Sequence, residues 1–336
     1  MTRILIALSF LLVLVPSMSL AEPAPKVAPN DYVRAESDLQ MKGYIEKYDC
    51  FARFAHSREP YDVHQQVTVR GNRDTLYSFG VFDLGSPLTV TLPEAKGRYQ
   101  SLMVVSEDHS IAARYSPDEV TLTKESVGTR YALLVIRTFM DPGDEADVKA
   151  AHQLQDEVRI EQAGKGRFEI PDWEQEEVEE LRNAINVVAS TVTDTSKMFG
   201  RKEELDLVYW MLGAALGWGG LPAEAATYVN VFPGKNDGKT AYTLTAEDVP
   251  VDAFWSVTLY DAEGWMPVNE YDAYSFNNVT AEKNADGSVT IHFGGDPKQP
   301  NFLPIAPGWN YIVRLYRPRE EILTGTWKFP EPLQVE

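Results

Sequence analysis

The spacing of hydrophobic positions changes several times along this chain. Between residues 30 and 57 they recur every three or four residues, which predicts an amphipathic helix. From residue 67 the spacing becomes two, and the segment 88–92 alternates apolar residues with threonine. Such alternation is typical of half-buried strands, whereas the continuous apolar run 131–136 predicts a strand buried on both faces.

The middle of the chain returns to helical spacing before strands resume. Over 144–217 apolar positions are again three or four residues apart, and the segment ends in a glycine stop before Pro222. From residue 226 the period is two once more, with turn sequences between the strands. Strands at this spacing favour a sandwich or jelly roll.

These patterns predict a mostly β (α+β) fold with two β-sandwich or jelly-roll-like domains, an N-terminal helix and a helical insert between the domains. The expected divisions are a signal peptide at 1–21, a flexible lead-in at 22–29, an N-terminal helix plus β domain at 30–143, a helical insert at 144–222 and a C-terminal β-sandwich domain at 223–336.

The N-terminus has the pattern of a secretion signal. Arg3 is followed by an apolar run from Ile4 to Val15, and small residues precede the expected cleavage after Ala21. The run is short for a membrane anchor, which is the competing interpretation. We therefore expect an exported chain, periplasmic or secreted, with no stable membrane insertion once the leader is removed.

Net charge and cysteine content exclude some kinds of partner and some covalent links. The formal net charge of −19 argues against nucleic acid, because binding it requires lysine and arginine to replace counterions. The single cysteine, Cys50, excludes an intrachain disulfide and is expected to be a buried small hydrophobe. No cofactor and no metal site is predicted, since the five histidines have no ligand-like spacing. A homo-oligomer is possible on these data.

Several phrases make the chain resemble two companion families. Those that resemble the N-terminal "domain of unknown function 1254" are Asn72–Ser78, Gly97–Tyr99 and Asp108-His109. Those that resemble the C-terminal "domain of unknown function 1214" are Ala253–Asp261, Phe302–Pro304 and Arg314–Pro318. The resemblance implies two β domains in one chain, often exported from bacteria. It implies no established activity.

One group of polar residues could act in catalysis. Asp74 precedes a strand and Asp108-His109 follows another, so antiparallel pairing could bring them to one edge of a sheet. A carboxylate beside a histidine can orient it as a general base, which would make the protein a hydrolase. The competing interpretation is that Asp74 and Asp108 cap turns and pair with arginines such as Arg73 or Arg98.

A second group could bind a ligand in a cleft between the domains. Its members combine aromatic faces with hydrogen-bonding groups: Asn72, Tyr77, Trp255, Trp265, Asn269, Arg314 and Tyr316. The expected ligand is a small molecule or a glycan. The competing interpretations are that Trp255 and Tyr316 are core residues, and that the protein has a structural or assembly role in the cell envelope.

Overall fold

The computed structural model describes residues 27–66, 68–192 and 194–335. The predicted signal peptide at 1–21 lies outside the described residues, as does most of the predicted lead-in. The helices are α1 (Tyr32–Tyr48), α2 (Lys124–Val127), α3 (Glu145–Asp156), α4 (Gln175–Ala189), α5 (Leu207–Gly217) and α6 (Glu320–Leu323), with a 3-10 turn at Lys202–Glu204. Across the described ranges, no helix is long and apolar enough to cross a membrane.

Strands outnumber helices. They are β1 (Ala55–His56), β2 (Thr75–Asp83), β3 (Leu88–Leu92), β4 (Gln100–Ser106), β5 (Ile111–Tyr115), β6 (Asp118–Leu122), β7 (Tyr131–Phe139), β8 (Arg159–Gln162), β9 (Ala226–Val231), β10 (Tyr242–Ala246), β11 (Trp255–Tyr260), β12 (Ser275–Asn277), β13 (Val289–Phe293), β14 (Phe302–Leu303), β15 (Asn310–Tyr316) and β16 (Leu333–Gln334).

The N-terminal β unit packs a large sheet on a small one. The large sheet has the order β1-β2-β7-β4-β5 and the small one the order β6-β3-β8. Alternate residues of β7 take opposite sides, because successive side chains of a strand point to opposite faces. Ala132, Leu134 and Ile136 enter the core between the two sheets. Leu133 and Val135 face the other side, toward α1.

The C-terminal β unit is a second sandwich. One sheet has the order β12-β11-β15-β9 and the other the order β14-β13-β10-β16. Their shared core includes Val257 from β11, Val313 from β15 and Phe293 from β13. Phe254 and Tyr316 lie outside this core and pack instead with the α1-facing side of the large N-terminal sheet. The two β units therefore share a hydrophobic contact.

The helices α1, α4 and α5 pack together beside the N-terminal sheet, in an apolar cluster that includes Val33, Val178, Ala214 and, from the segment before α1, Val27. Val27 is buried, and its N–H donates to Glu177, so the described end of the predicted flexible lead-in is packed. Helix α1 is shorter than the spacing over 30–57 predicted, because Asp49 leaves the helical region with φ of 48°.

The predicted fold class is confirmed, with 28% strand, 21% helix and several antiparallel sheets. One correction concerns the segment 144–222, which the sequence predicted as helical. It contains β8, which pairs with β3 and completes the small N-terminal sheet. The alternation of Arg159, Ile160, Glu161 and Gln162 is too short to stand out between two helices. Cys50 is buried and unpaired, as predicted.

Candidate functional site

The loop that precedes β2 joins the two β units through Arg314. From the inner strand β15, the Arg314 guanidinium donates to the carbonyl oxygens of Arg70 and Gly71 at 2.9 and 3.0 Å. It also donates to the hydroxyls of Thr258 at 2.8 Å and Tyr260 at 2.6 Å. The Tyr260 hydroxyl in turn donates to the Gly71 carbonyl at 2.6 Å. Arg314 thus donates to four protein oxygens.

Asp74 belongs to the same junction. It is 2% exposed, and its Oδ1 accepts a hydrogen bond from Asn277 at 3.2 Å. Burial raises the pKa of its carboxyl, and Arg314 partly opposes that rise. Asp74 is therefore a buried carboxyl near a buried cation, and its side-chain hydrogen bonds are with the C-terminal unit.

Asn72 connects the junction to a pocket. Its Nδ2 donates to the hydroxyls of Tyr77 at 3.3 Å and Tyr316 at 3.1 Å, while its Oδ1 accepts from the Asp74 N–H. Two residues that the sequence proposed for ligand binding, Asn72 and Tyr77, line this pocket. Tyr316 lies behind it, buried and stacked on Phe254 with ring centroids 4.3 Å apart.

The pocket has a volume of about 520 Å³ and lies between α1, the large sheet and the turn that follows α5. Six of its lining residues are aromatic, namely Tyr44, Tyr48, Tyr61, Tyr77, Phe79 and Trp218, and the charged residues Arg58, Glu59 and Asp62 also line it. Phe79 is at the centre of this set, with ring centroids 5.0 Å from Tyr44, 4.8 Å from Tyr48 and 5.8 Å from Tyr77. We call this cavity the aromatic pocket.

Arg137 lines the aromatic pocket from the middle of the large sheet. It lies on β7, opposite Tyr77 on β2 and Ser101 on β4, and its side chain is on the same face as Leu133 and Val135. The guanidinium lies over the Tyr77 ring at 5.4 Å from the centroid, and one Nη is 3.7 Å from the sulfur of Met103. Among the described residues, no carboxylate pairs with it and no oxygen accepts its hydrogen bonds.

The charges of Arg137 and Tyr77 are coupled. Burial alone would lower the pKa of Arg137, but the surrounding tyrosines raise it above its usual range, so the side chain is a permanent cation. Burial would raise the pKa of Tyr77, yet Arg137 and the hydrogen bond from Asn72 lower it. Burial raises the pKa of Tyr44 to about 12, so that hydroxyl stays neutral at physiological pH.

His109 lies behind one wall of the aromatic pocket. Its Nε2 accepts the N–H of Gly219, which lines the pocket, at 2.9 Å. Gly219 has φ of 75°, a conformation that favours glycine. The His109 ring is fully buried near Trp218, and its Nδ1 has no hydrogen-bond partner in the described part of the chain. Burial lowers its pKa to about 3, so His109 is neutral. Its hydrogen bond holds Gly219 in the pocket lining.

The three residues proposed for catalysis are not brought together. His109 contacts the Gly219 backbone, Asp74 contacts the C-terminal unit, and the Asp108 carboxylate pairs with Arg34 and with Lys202 at 3.4 Å. His109 has no carboxylate partner within the ranges that the structure describes. The hydrolase hypothesis requires that contact, and the geometry gives it no support. The alternative pairing also differs from expectation, since Arg98 pairs with Asp147.

The remaining proposed ligand-binding residues lie elsewhere. Trp255 is 3% exposed in the core of the C-terminal sandwich, against Phe329, as the competing interpretation expected. Asn269 uses both side-chain ends to fix its own loop, accepting from Tyr271 and Ala273 and donating to Pro267. Trp265 follows a turn in which its N–H donates to Asp261. None of the three lines the aromatic pocket.

Sequence reasoning missed Arg137 and most of the rings. The available signal for Arg137 is its place in an apolar strand, after Ile136 and before Thr138 and Phe139. A charge inside such a run implies a buried partner or a binding role. Tyr44, Tyr48 and Phe79 carried no signal, because rings at regular spacing are typical of a core. In the described residues no three histidine, cysteine, aspartate or glutamate side chains cluster as metal ligands.

Two family models match the chain. The model described as "Protein of unknown function (DUF1254)" matches residues 51–113, and the model described as "Protein of unknown function (DUF1214)" matches residues 232–320. The resemblance identified from the sequence is therefore confirmed, in the expected order. Arg314 lies inside the second match, whereas Arg137 lies outside both.

Solved structures share the fold. The crystal structure of the VPA0106 protein from Vibrio parahaemolyticus aligns with a TM-score of 0.69 at 20% identity, covering 92% of this chain and 98% of that one. An uncharacterised protein from Burkholderia cenocepacia aligns with a TM-score of 0.51 at 16% identity, covering 91% and 87%. At these identities the likeness shows the fold alone. No match is found among curated proteins.

Proposed function

We propose that the protein binds a small organic molecule in the aromatic pocket. One observation carries the proposal: a cavity of about 520 Å³ is lined by six aromatic rings and by hydrogen-bonding side chains that include Asn72 and Thr75. Ligand sites are usually concave, mostly apolar and supplied with a few well-placed polar groups, and this volume is within their usual range of roughly 300–1,000 Å³.

The composition of the pocket indicates the shape of the ligand. The rings of Tyr48, Phe79 and Tyr77 stack nearly parallel, with interplanar angles of 26° and 11° at the two contacts. Flat apolar faces of this kind suit an aromatic ring or the apolar face of a sugar. Asn72 and Thr75 supply hydrogen-bonding groups to the same lining. We therefore propose a flat small molecule, with a sugar-containing compound as a member of the same class.

A blocking variant tests the proposal. The Thr68 side chain is exposed at the pocket lining, and Thr68→Trp would place an indole in the cavity without changing charge. Thr245→Trp, at an exposed position of the C-terminal unit, is the matched control. We expect compounds from a library of small aromatic and sugar molecules to bind the parent and the control in ligand-observed NMR. Their affinity for Thr68→Trp should fall at least about tenfold.

Two results would contradict the proposal. One is that no library compound binds the parent protein. The other is that every compound that binds the parent binds Thr68→Trp equally well, which would place the binding elsewhere.

Export is a second element of the proposal, supported by the charged start, short apolar run and small-residue cleavage site of residues 1–21. Expression of the full-length chain in a bacterium, followed by fractionation and mass spectrometry, would test it. The expected product begins at Glu22 and is found outside the cytoplasm. A cytoplasmic product that retains Met1 would contradict export.

An assembly role is the alternative that has an observation in its favour. The end of α4 and the beginning of α5, two helices in contact, carry exposed apolar residues: Val187 at 71%, Val188 at 54%, Leu207 at 66% and Val208 at 54%. Exposed apolar patches often mark association surfaces. Sedimentation of the parent and of Val187→Glu with Leu207→Glu would show a parent oligomer that the variant loses, if this role is correct.

A further inference from the structure

We infer that the ligand of the aromatic pocket is an organic anion whose carboxylate pairs with Arg137. The inference rests on the proposed binding function and specifies its chemistry. The observation behind it is a charged side chain that lines the pocket and that forms no ion pair with any residue the structure describes.

The first step is the hydrogen-bonding balance of Arg137. A guanidinium carries five N–H donors in a fixed fork. In the described residues, those of Arg137 reach only the Met103 sulfur at 3.7 Å and the face of the Tyr77 ring. Sulfur is a weak acceptor, and the large majority of buried polar side-chain atoms have a partner. The donors are therefore available to something that enters the pocket.

The second step is the charge balance of the molecule. The chain has 50 acidic and 31 basic residues, so carboxylates outnumber the available cations. Two other arginines of the N-terminal β unit, Arg130 and Arg98, each pair with an aspartate. Among the described residues, Arg137 pairs with none. An unpaired charge next to an apolar core is costly, and a site that retains one needs a compensating anion.

The third step is the position of the cation. Arg137 lies on an inner strand, with β2 on one side and β4 on the other, so a ligand must approach it through the aromatic pocket. The fork can hold both oxygens of a carboxylate with two parallel hydrogen bonds. The rings of Tyr77 and Phe79 lie beside it and would contact the apolar part of the same ligand.

The fourth step is the reason why an anion suits the pocket better than a neutral polar ligand. Asn72, Thr75 and Tyr77 already bond to one another, with Asn72 Nδ2 3.3 Å from both Thr75 Oγ1 and the Tyr77 hydroxyl. A neutral polar ligand would compete with these bonds. An anion would use donors that are not otherwise engaged. A carboxylate and a phosphate monoester share this chemistry, and the probes below separate them.

Three matched probes test the inference by calorimetry: naphthalene-2-carboxylate, naphthalene-2-carboxamide and naphthyl phosphate. We expect the parent to bind the carboxylate about 10- to 100-fold more tightly than the amide, because charge-assisted hydrogen bonds exceed neutral ones by that amount. Tighter binding of the phosphate than of the carboxylate would overturn the choice of carboxylate.

Variants at Arg137 separate this inference from pocket binding in general. Arg137→Met should weaken the carboxylate about 10- to 100-fold and leave the amide unchanged, and Arg137→Lys should recover part of the loss. Arg53→Met, which removes an exposed arginine that does not line the aromatic pocket, is the control for lost positive charge. Chemical unfolding of each variant establishes that it is folded.

The failures are distinguishable. If the acid and the amide bind the parent equally and Arg137→Met changes neither, small-molecule binding stands and the anion inference is wrong. If neither probe binds but neutral library compounds do, the anion inference is again wrong. If Thr68→Trp leaves all binding unchanged, the pocket itself is not the site.

Discussion

Two arginines occupy equivalent places in the two β units and differ in what surrounds them. Arg314 lies on the inner strand β15 and Arg137 on the inner strand β7. Each has a tyrosine ring beside the guanidinium, Tyr260 at 5.9 Å and Tyr77 at 5.4 Å. Arg314 donates to four oxygens, with Asp74 close enough to affect its pKa. Arg137 reaches no oxygen within the described ranges and borders a cavity.

The two arginines differ in whether a loop covers the strand that carries them. The loop containing Arg70 and Gly71 lies across β15 and presents its carbonyl oxygens to Arg314. No described loop presents carbonyl oxygens to Arg137 on β7. There the aromatic pocket lies between α1 and the large sheet. A buried cation that the protein satisfies contributes to structure, whereas one that it leaves open can contribute to recognition.

The largest expected effect comes from replacing the two arginines by methionine. Arg314→Met should lower the free energy of unfolding by about 3–5 kcal/mol, because it removes one partner of a buried network and leaves its acceptors and Asp74 uncompensated. Arg137→Met should leave it unchanged or raise it by up to about 1 kcal/mol, since no strong hydrogen bond is lost and an unpaired charge is removed from apolar surroundings. Urea unfolding of both variants measures the difference.

Equal losses in the two variants would break the comparison. A large loss in Arg137→Met alone would mean that Arg137 has a structural partner that the described contacts do not show.

A smaller effect on stability is expected at His109, which lies behind the aromatic pocket. The folded pKa of His109 is lowered to about 3, so the unfolded chain takes up a proton below the ordinary pKa of about 6.5 and the folded chain does not. The contribution of His109 to the stability of the parent should therefore decrease as the pH falls through this window. His109→Gln, which keeps an acceptor for Gly219, should lack this dependence, a difference of about 2 kcal/mol at about pH 5.

The measurement is the unfolding free energy of parent and His109→Gln between about pH 8 and pH 5. As the pH falls, the unfolding free energy of the parent should decrease relative to that of the variant. A constant difference would show that His109 is accessible to protons in the folded state.

The smallest expected effect is at Tyr77, which lies between the two arginines. Tyr77→Phe removes the hydroxyl that accepts from Asn72 and should cost about 1 kcal/mol of stability. The pKa of Tyr77 is lowered, while burial raises the pKa values of Tyr44, Tyr115 and Tyr99. A spectrophotometric titration of the parent should show one early tyrosine that the variant lacks. An unchanged early phase would assign it to another residue.

Much of the fold could be predicted from local pattern. The strand 88–92 was evident from alternation, and β7 from a continuous apolar run, because side-chain period follows directly from which faces are buried. β8 was missed since four residues between helices carry too little periodicity. The site was harder. Asn72 and Tyr77 were selected for their chemistry and do line the aromatic pocket. His109 was selected as a base, and the structure makes it a support for a backbone N–H.

The sequence by itself determined that the apolar runs 131–136 and 311–316 are strands, with Arg137 directly after the first run and Arg314 inside the second. Those runs are nearly interchangeable as patterns. Only the tertiary structure decided that one arginine donates to four protein oxygens and the other faces a cavity. The physical reason is distance along the chain, because the carbonyls that satisfy Arg314 come from residues 244 and 243 positions away. No local pattern encodes which loop will cover which strand.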